Sequence, residues 1–188
     1  MKGSTLIGGA GAHARVDKDF YPTPPECTEA LLRAFPELLL PGLVVWEPAC
    51  GDGAICNVLR AHGARVAASD LVDRGYPGTV LMDFLNAPAR IDKLGAIITN
   101  PPFTLAGEFI DKCRSYGVPF AILHKATYWH AKSRFPLFQA SGPRAVAPLL
   151  WRPIMAADRG KSPTMDFAWT VWGSEPVSTA RYSPLPKP

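Results

Sequence analysis

Residues 97–103 read Ile-Ile-Thr-Asn-Pro-Pro-Phe. Ile97 and Ile98 have the character of a buried strand, and Pro101-Pro102 forbids its continuation. Proline lacks the ladder donor and fixes φ, so a core strand must end here. It ends on a polar amide, a rigid turn and an aromatic ring. Any fold for this chain has to place that strand end where Asn100 and Phe103 are useful.

The surrounding pattern supplies the fold class. Thr23-Pro24-Pro25-Glu26 opens a helix, with Thr23 placed to cap, proline suited to the first turn and Glu26 at the capping-box position. Leu31 and Phe35 share its inner face. Strands are expected at Leu43–Trp46, Arg65–Ser69, Thr79–Met82, Gly95–Thr99 and Phe120–Leu123. Helices are expected at Ala54–His62, closed by Gly63, and from Leu105 through Cys113 to Gly117. Such alternation implies a parallel α/β sheet with helices on both faces. Ala145–Ile154 and Phe167–Trp172 then read as two strands with no helical stretch between them. They should pair antiparallel, adding a hairpin at one edge.

A chain of 188 residues suits one domain with a sizeable core. Residues 1–18 read as a loose arm, 19–173 as the folded domain and 174–188 as a proline-rich extended tail. No apolar run approaches the ~20 residues of a membrane span. The N-terminus lacks the apolar core of a signal peptide, so the expectation is a soluble cytoplasmic protein. The four cysteines and four histidines show no metal-ligand spacing, and buried reduced thiols are expected. A net charge of +4 is compatible with a polyanionic partner without requiring one.

Ligands of open α/β sheets bind outside the carboxyl ends of the strands. The first strand is followed by Glu47-Pro48-Ala49-Cys50-Gly51-Asp52-Gly53. Its two glycines permit a tight turn and close backbone approach to a ligand. It matches neither the dinucleotide fingerprint nor the nucleoside-triphosphate loop. Its acidic residues suit a ligand bearing positive or neutral donor groups. Asp70, at the end of the second strand, stands where an acid bonds ribose hydroxyls. Asp83 after the third could accept from an exocyclic amine, with Phe84 against a ring. Asn100 and the Pro101 carbonyl offer two acceptors beside Phe103, stiffened by Pro102. Together they form a clamp for a planar amine.

These residues resemble the S-adenosylmethionine-dependent N6-adenine DNA methyltransferases, in particular the small phage and prophage type. The similarity spans roughly residues 17–173 and rests on Asp19-Phe20-Tyr21-Pro22-Thr23-Pro24, EPACGDG, Asp70, Asp83 and NPPF. It implies a Rossmann-like class I methyltransferase fold with a mainly parallel seven-stranded sheet. It implies S-adenosylmethionine held by Tyr21, Thr23, Glu47, Ala49, Gly51, Gly53, Asp70, Asp83 and Phe84. Asn100, Pro101, Pro102 and Phe103 would hold an adenine flipped out of duplex or single-stranded DNA. Basic residues interleaved with aromatics after the fifth strand suit nucleic acid: Lys125, Tyr128, Trp129, Lys132 and Arg134. Arg152, Arg159 and Lys161 in the hairpin would join them. No separate target-recognition domain fits in this length. Sequence choice would come from these loops, a homodimer or a partner. The same clamp would serve an RNA base or a protein glutamine, and a non-catalytic binding subunit is the rival of a different class.

Overall fold

A computed structural model describes residues 20–88, 90–140, 142–155, 163–175 and 177–188. Eight strands form one sheet: β1 (Val44–Glu47), β2 (Arg65–Asp70), β3 (Val80–Leu81), β4 (Leu94–Thr99), β5 (Phe120–Lys125), β6 (Ala145–Pro148), β7 (Phe167–Trp172) and β8 (Arg181–Tyr182). Their spatial order is β3-β2-β1-β4-β5-β7-β6-β8. β7 runs antiparallel to both β5 and β6, and the remaining pairings are parallel.

Side chains on the central strands alternate between two layers, as the pleat demands. Val45, Ala96, Ile98, Ala121 and Leu123 pack under α1 (Pro25–Ala34) and α2 (Ala54–Ala61). Trp46, Ile97, Phe120 and Ile122 face the other way, against Phe109, Ile110 and Cys113 of α3 (Ala106–Arg114). A short helix, α4 (Phe135–Ala140), follows β5 and two 3-10 turns. Ile97 and Ile98 are both fully buried, each contributing roughly 1.5–3 kcal/mol. The strand carrying the clamp is therefore among the best-anchored in the sheet. All four cysteines are buried and unpaired.

Four expectations need correction. The sheet has eight strands rather than seven; the expected antiparallel pair, β6 and β7, does lie toward one side of the sheet, with only the two-residue β8 outside it. β7 inserts between β5 and β6, because Trp169 and Phe167 are too apolar for an exposed strand and are completely buried here. The Ala145–Ile154 strand stops at Pro148, beyond which Leu150 and Ile154 are exposed. The C-terminal segment does not hang free: Arg181–Tyr182 pairs with β6, and Leu185 is buried beside Leu149. Backbone hydrogen bonds to β6 and the burial of Leu185 together hold a segment that its composition marks as extended.

Thr23 does not cap α1. Pro24 occupies the cap position, with no side-chain cap bond. The Thr23 hydroxyl is engaged elsewhere, as described below.

Candidate active site

The strand order reverses between β1 and β4, which start crossovers in opposite directions. At such a switch point the loops splay apart and leave a crevice. A cavity of about 830 Å3, counting its solvent-open part, lies there. Tyr21, Thr23, Glu47, Ala49, Asp70, Asp83, Phe84, Asn100 and Pro102 all line it. Gly51, Gly53, Pro101 and Phe103 do not line it. Four carboxylates face the cavity, those of Glu47, Asp52, Asp70 and Asp83, against one cation, Arg74.

At the end of β4, the Asn100 side-chain nitrogen donates to the Tyr21 carbonyl (3.3 Å) and to the Thr23 hydroxyl (3.0 Å). A carbonyl only accepts, so chemistry fixes the amide orientation: nitrogen toward Tyr21, oxygen away. Asn100 Oδ1 is buried with no hydrogen-bond partner. Leaving a buried acceptor unsatisfied costs about 1–3 kcal/mol, an observation that points to a donor supplied by a ligand.

At the end of β1, Glu47 is fully buried. Its Oε1 accepts from the Ala49 N–H at 2.9 Å, and its Oε2 has no partner. Burial pushes this carboxyl up to about 8; the neighbouring Thr99 hydroxyl and the Ala49 N–H pull it the other way, and the Asp70 charge adds to the rise. By geometry neither Oε2 nor the Thr99 hydroxyl completes a hydrogen bond. The carboxyl is largely protonated at neutral pH until a cation reaches it.

The outer strand ends differ. Asp70 Oδ2 accepts from the Gly51 N–H (2.8 Å) and Oδ1 from the Val72 N–H (2.9 Å). This carboxylate ties the β2 end to the β1 loop. Asp83 accepts from the Leu85 N–H (3.0 Å) and the Asn86 side-chain amide (2.7 Å). Each oxygen keeps lone-pair capacity for a ligand hydroxyl or amine.

The glycines of the β1 loop serve the protein's own rings. Gly51 and Gly53 both have positive φ, at 54° and 85°. A Cβ on Gly51 would collide with the Phe20 ring, and one on Gly53 with the Tyr76 ring. The close approach expected of a ligand is made by two aromatic side chains. Phe20 lines the cavity, and the Arg74 guanidinium lies 4.0 Å from its ring centroid. Sequence reading missed this Phe20–Arg74 cover. Its one signal was the presence of Phe20 next to Tyr21. Phe84 lines the cavity edge but is a core residue, 3% exposed, with Trp46 edge-on at 5.1 Å.

Phe103 is not a bare platform. Tyr21 stacks on it at 5.6 Å with the planes 14° apart, and Lys125 Nζ stands 5.1 Å from its centroid. A planar ligand must displace or share that stack. Lys125 thereby joins the basic loop to the clamp. That loop is pinned from beneath: His124 Nδ1 donates to the Lys125 carbonyl (2.9 Å), so its Nε2 accepts from the Thr170 hydroxyl at 2.6 Å. Trp129 Nε1 donates to the same Thr170 oxygen at 3.1 Å. Burial lowers His124 to about 4, so it stays neutral in this relay.

The remaining basic residues separate. Lys132 is exposed, and the Arg134 guanidinium lies 4.5 Å from the Tyr128 ring centroid. Arg152 is exposed and paired with Asp166 at 2.8 Å rather than held for a phosphate. Arg159 and Lys161 lie outside the described residues. Among the described residues no cluster of metal ligands occurs, and no helix is long and apolar enough to cross a membrane.

No protein-family model and no curated protein matches the sequence. Solved structures do match. One is a Listeria monocytogenes protein provisionally described as a class I S-adenosylmethionine-dependent methyltransferase (15% identity, 87% of this chain and 65% of that one, TM-score 0.63). Another, from Pyrococcus horikoshii, is provisionally described as an RNA methyltransferase (16%, 85% and 86%, TM-score 0.62). A third is the modification subunit of a provisionally assigned type I restriction enzyme of Vibrio vulnificus (15%, 93% and 48%, TM-score 0.62). The chain spans less than two thirds of the Listeria and Vibrio proteins. Its fold is the Rossmann-like fold of the class I methyltransferases.

Proposed function

We propose that this chain binds S-adenosylmethionine and transfers its methyl group to the N6 amino nitrogen of adenine in DNA. The observation that carries the reading is Asn100: its amide nitrogen is tied back to Tyr21 and Thr23, and its buried oxygen is left without a partner beside the cavity.

The cavity residues fit the cofactor. Its ammonium and sulfonium charges suit a pocket with four carboxylates and one arginine. Glu47 Oε2, buried and orphaned, supplies an acceptor for a cationic donor. Asp70 and Asp83 would take the ribose hydroxyls and the adenine amine. When bound, the cofactor supplies a methyl group already activated on sulfur.

The protein's task is then positioning and polarisation. An adenine amino nitrogen is a weak nucleophile because its lone pair is delocalised into the ring. Asn100 Oδ1 and the Pro101 carbonyl would accept its two N–H bonds, drawing them out of plane and localising the lone pair. The same acceptors stabilise positive charge developing on nitrogen during transfer. Pro102 fixes the turn, and Phe103 packs against the ring once Tyr21 yields its place. Thr23 acts through Asn100 as a positioning residue, holding the acceptor oxygen toward the substrate.

The Pyrococcus protein of like fold is provisionally described as an RNA methyltransferase, and the clamp chemistry would serve adenine in RNA equally well, which makes RNA the second acceptor to test. The test is transfer of labelled methyl to duplex DNA, single-stranded DNA and total RNA in parallel, with products identified as nucleosides by mass spectrometry. N6-methyladenine from DNA is the expected result. Label confined to RNA would reassign the substrate. Absence of label from all three acceptors would overturn the reading.

A further inference from the structure

The segment that follows β5, whose Lys125 reaches over Phe103, also forms a second concavity that the chemistry above does not use. It is lined by Trp129, His130, Lys132, Arg134, Phe135 and Phe138, with a cavity of about 730 Å3 that counts its solvent-open part. Its aromatic walls meet at a steep angle: Trp129 and Phe138 are 5.7 Å apart at 81°. Phe135 is 61% exposed, so its ring is accessible from solvent at the groove. Among the described residues no acidic side chain lines the groove, and two cations do, Lys132 and Arg134.

The groove's segment also touches the first turn of α3, just after the clamp: a Cβ on Gly107 would lie 3.5 Å from Arg134 Nη1. Lys125 reaches over Phe103, and Trp129, four residues further on, is fixed by its bond to Thr170. Trp129 therefore presents a wall whose orientation is set before any ligand arrives. An aromatic corner rimmed by cations is the arrangement that holds a base by stacking and its phosphate by charge.

We propose that this groove binds an unpaired nucleotide flanking the target adenine, so that the preferred substrate is single-stranded or locally opened nucleic acid. The inference rests on the nucleic-acid reading above and names the form of the substrate. In an intact duplex each base face is covered by its neighbours and reaches no such corner. Stacking against Trp129 and Phe135 would offset the loss of those neighbours. Lys132 and Arg134 would meet the adjoining phosphates, and the energy would be insensitive to base identity.

The test combines Phe135→Ala with abasic scanning of a single-stranded adenine-containing oligonucleotide. Phe135 is exposed, so an unchanged melting temperature is expected and certifies the fold. The expected result is about tenfold weaker single-strand binding by F135A, read by fluorescence anisotropy, the scale of one lost base stack. One abasic position near the target should weaken wild-type binding equally and weaken F135A no further. Additive losses, or no loss from either change, would overturn the groove. So would tighter binding to the intact duplex, or an oligonucleotide that does not bind at all. Product analysis runs alongside and separates the two readings. Non-additive coupling without N6-methyladenine would keep the groove and sink the reaction. N6-methyladenine without coupling would do the reverse.

Discussion

The two inner strand ends of the site, on β1 and β4, are built on the opposite plan from the two outer ones, on β2 and β3. Glu47 and Asn100 each bury an oxygen that no protein group satisfies. Asp70 and Asp83 have both oxygens engaged by protein donors: Asp83 by its own turn, Asp70 by its own loop and by the Gly51 N–H of the β1 loop. The inner pair holds acceptor capacity in a dry place, where an incoming donor gains most. The outer pair shapes the rim first and meets a ligand second. Asp83 follows the edge strand, whose Val80 and Leu81 are exposed to water; Asp70 is itself buried, and its two oxygens are taken up by backbone N–H groups.

The largest effect should come from removing the inner acceptor at β4. Asn100→Ala is expected to lower kcat by about 10²–10³, the usual loss for one donor or acceptor aimed at transition-state charge. Calorimetry should find cofactor affinity almost unchanged. Full activity in this variant would end the clamp assignment. Thr23→Val is the milder companion. It removes the hydroxyl that holds the Asn100 nitrogen, and turnover should fall about three- to tenfold, equivalent to one net hydrogen bond. Thr23→Ser should restore it. The Asn100 side-chain amide resonances should sharpen or broaden with the same pattern, which a merely structural role for Thr23 would not produce.

Glu47 comes next, and its effect has a sign in pH. Its carboxyl is raised to about 8 by burial, so the native state holds a proton that the unfolded chain releases at its ordinary value of 4.5. The associated stability is complete below about 4.5 and is lost as pH rises through about 8. Glu47→Gln should flatten that slope, making the cofactor-free protein more stable at pH 8 by on the order of a few kcal/mol. A cationic ligand favours the ionised carboxylate, so cofactor affinity of the wild type should climb toward pH 8 with release of a proton. Calorimetry in buffers of different ionisation enthalpy would detect that proton. Its absence would mean that Glu47 faces no cation.

Asp70→Asn should act more on architecture than on the ligand. Asparagine has one accepting oxygen where aspartate has two, so it cannot replace the separate bonds to the Gly51 and Val72 N–H groups; one bond is lost and a backbone donor faces an NH2 group. A loss of about 1–3 kcal/mol in stability is expected, by denaturant unfolding, with weaker cofactor binding as a consequence. Intact stability with lost affinity would show Asp70 to be a ligand group like the inner pair.

The parts of this design that could be read from sequence are those written in adjacent residues. The strand-helix alternation, the acids at successive strand ends and the Asn-Pro-Pro-Phe stop are local; the cavity gathers the acids, Asn100 and Pro102, but not Pro101 or Phe103. What escaped notice depends on distant partners. Thr23 has the composition of a helix cap, yet its hydroxyl meets a residue 77 positions away. Gly51 and Gly53 read as room for a ligand, because nothing nearby in sequence announces the Phe20 and Tyr76 rings that fill the space. β8 is two residues long in a proline-rich stretch, too short for periodicity to register. Its place is decided by Leu185 and by the open edge of β6.

Asp83→Ala is expected to have the smallest effect, and it tests the outer plan most cleanly. Asp83 caps a turn, with bonds to the Leu85 N–H and the Asn86 amide that water can replace at an exposed site. The turn should lose less than about 1 kcal/mol of stability. If Asp83 also receives the cofactor's adenine amine, affinity falls several-fold while kcat at saturation holds, since that contact is equal in ground and transition states. Affinity unchanged within about twofold would leave Asp83 as a cap alone, and the outer rim would then bind through Asp70 and its neighbours. A fall in kcat would be the surprising result. It would mean that a turn on the edge strand communicates with Asn100 across the switch point, and the division between inner and outer strand ends would no longer stand.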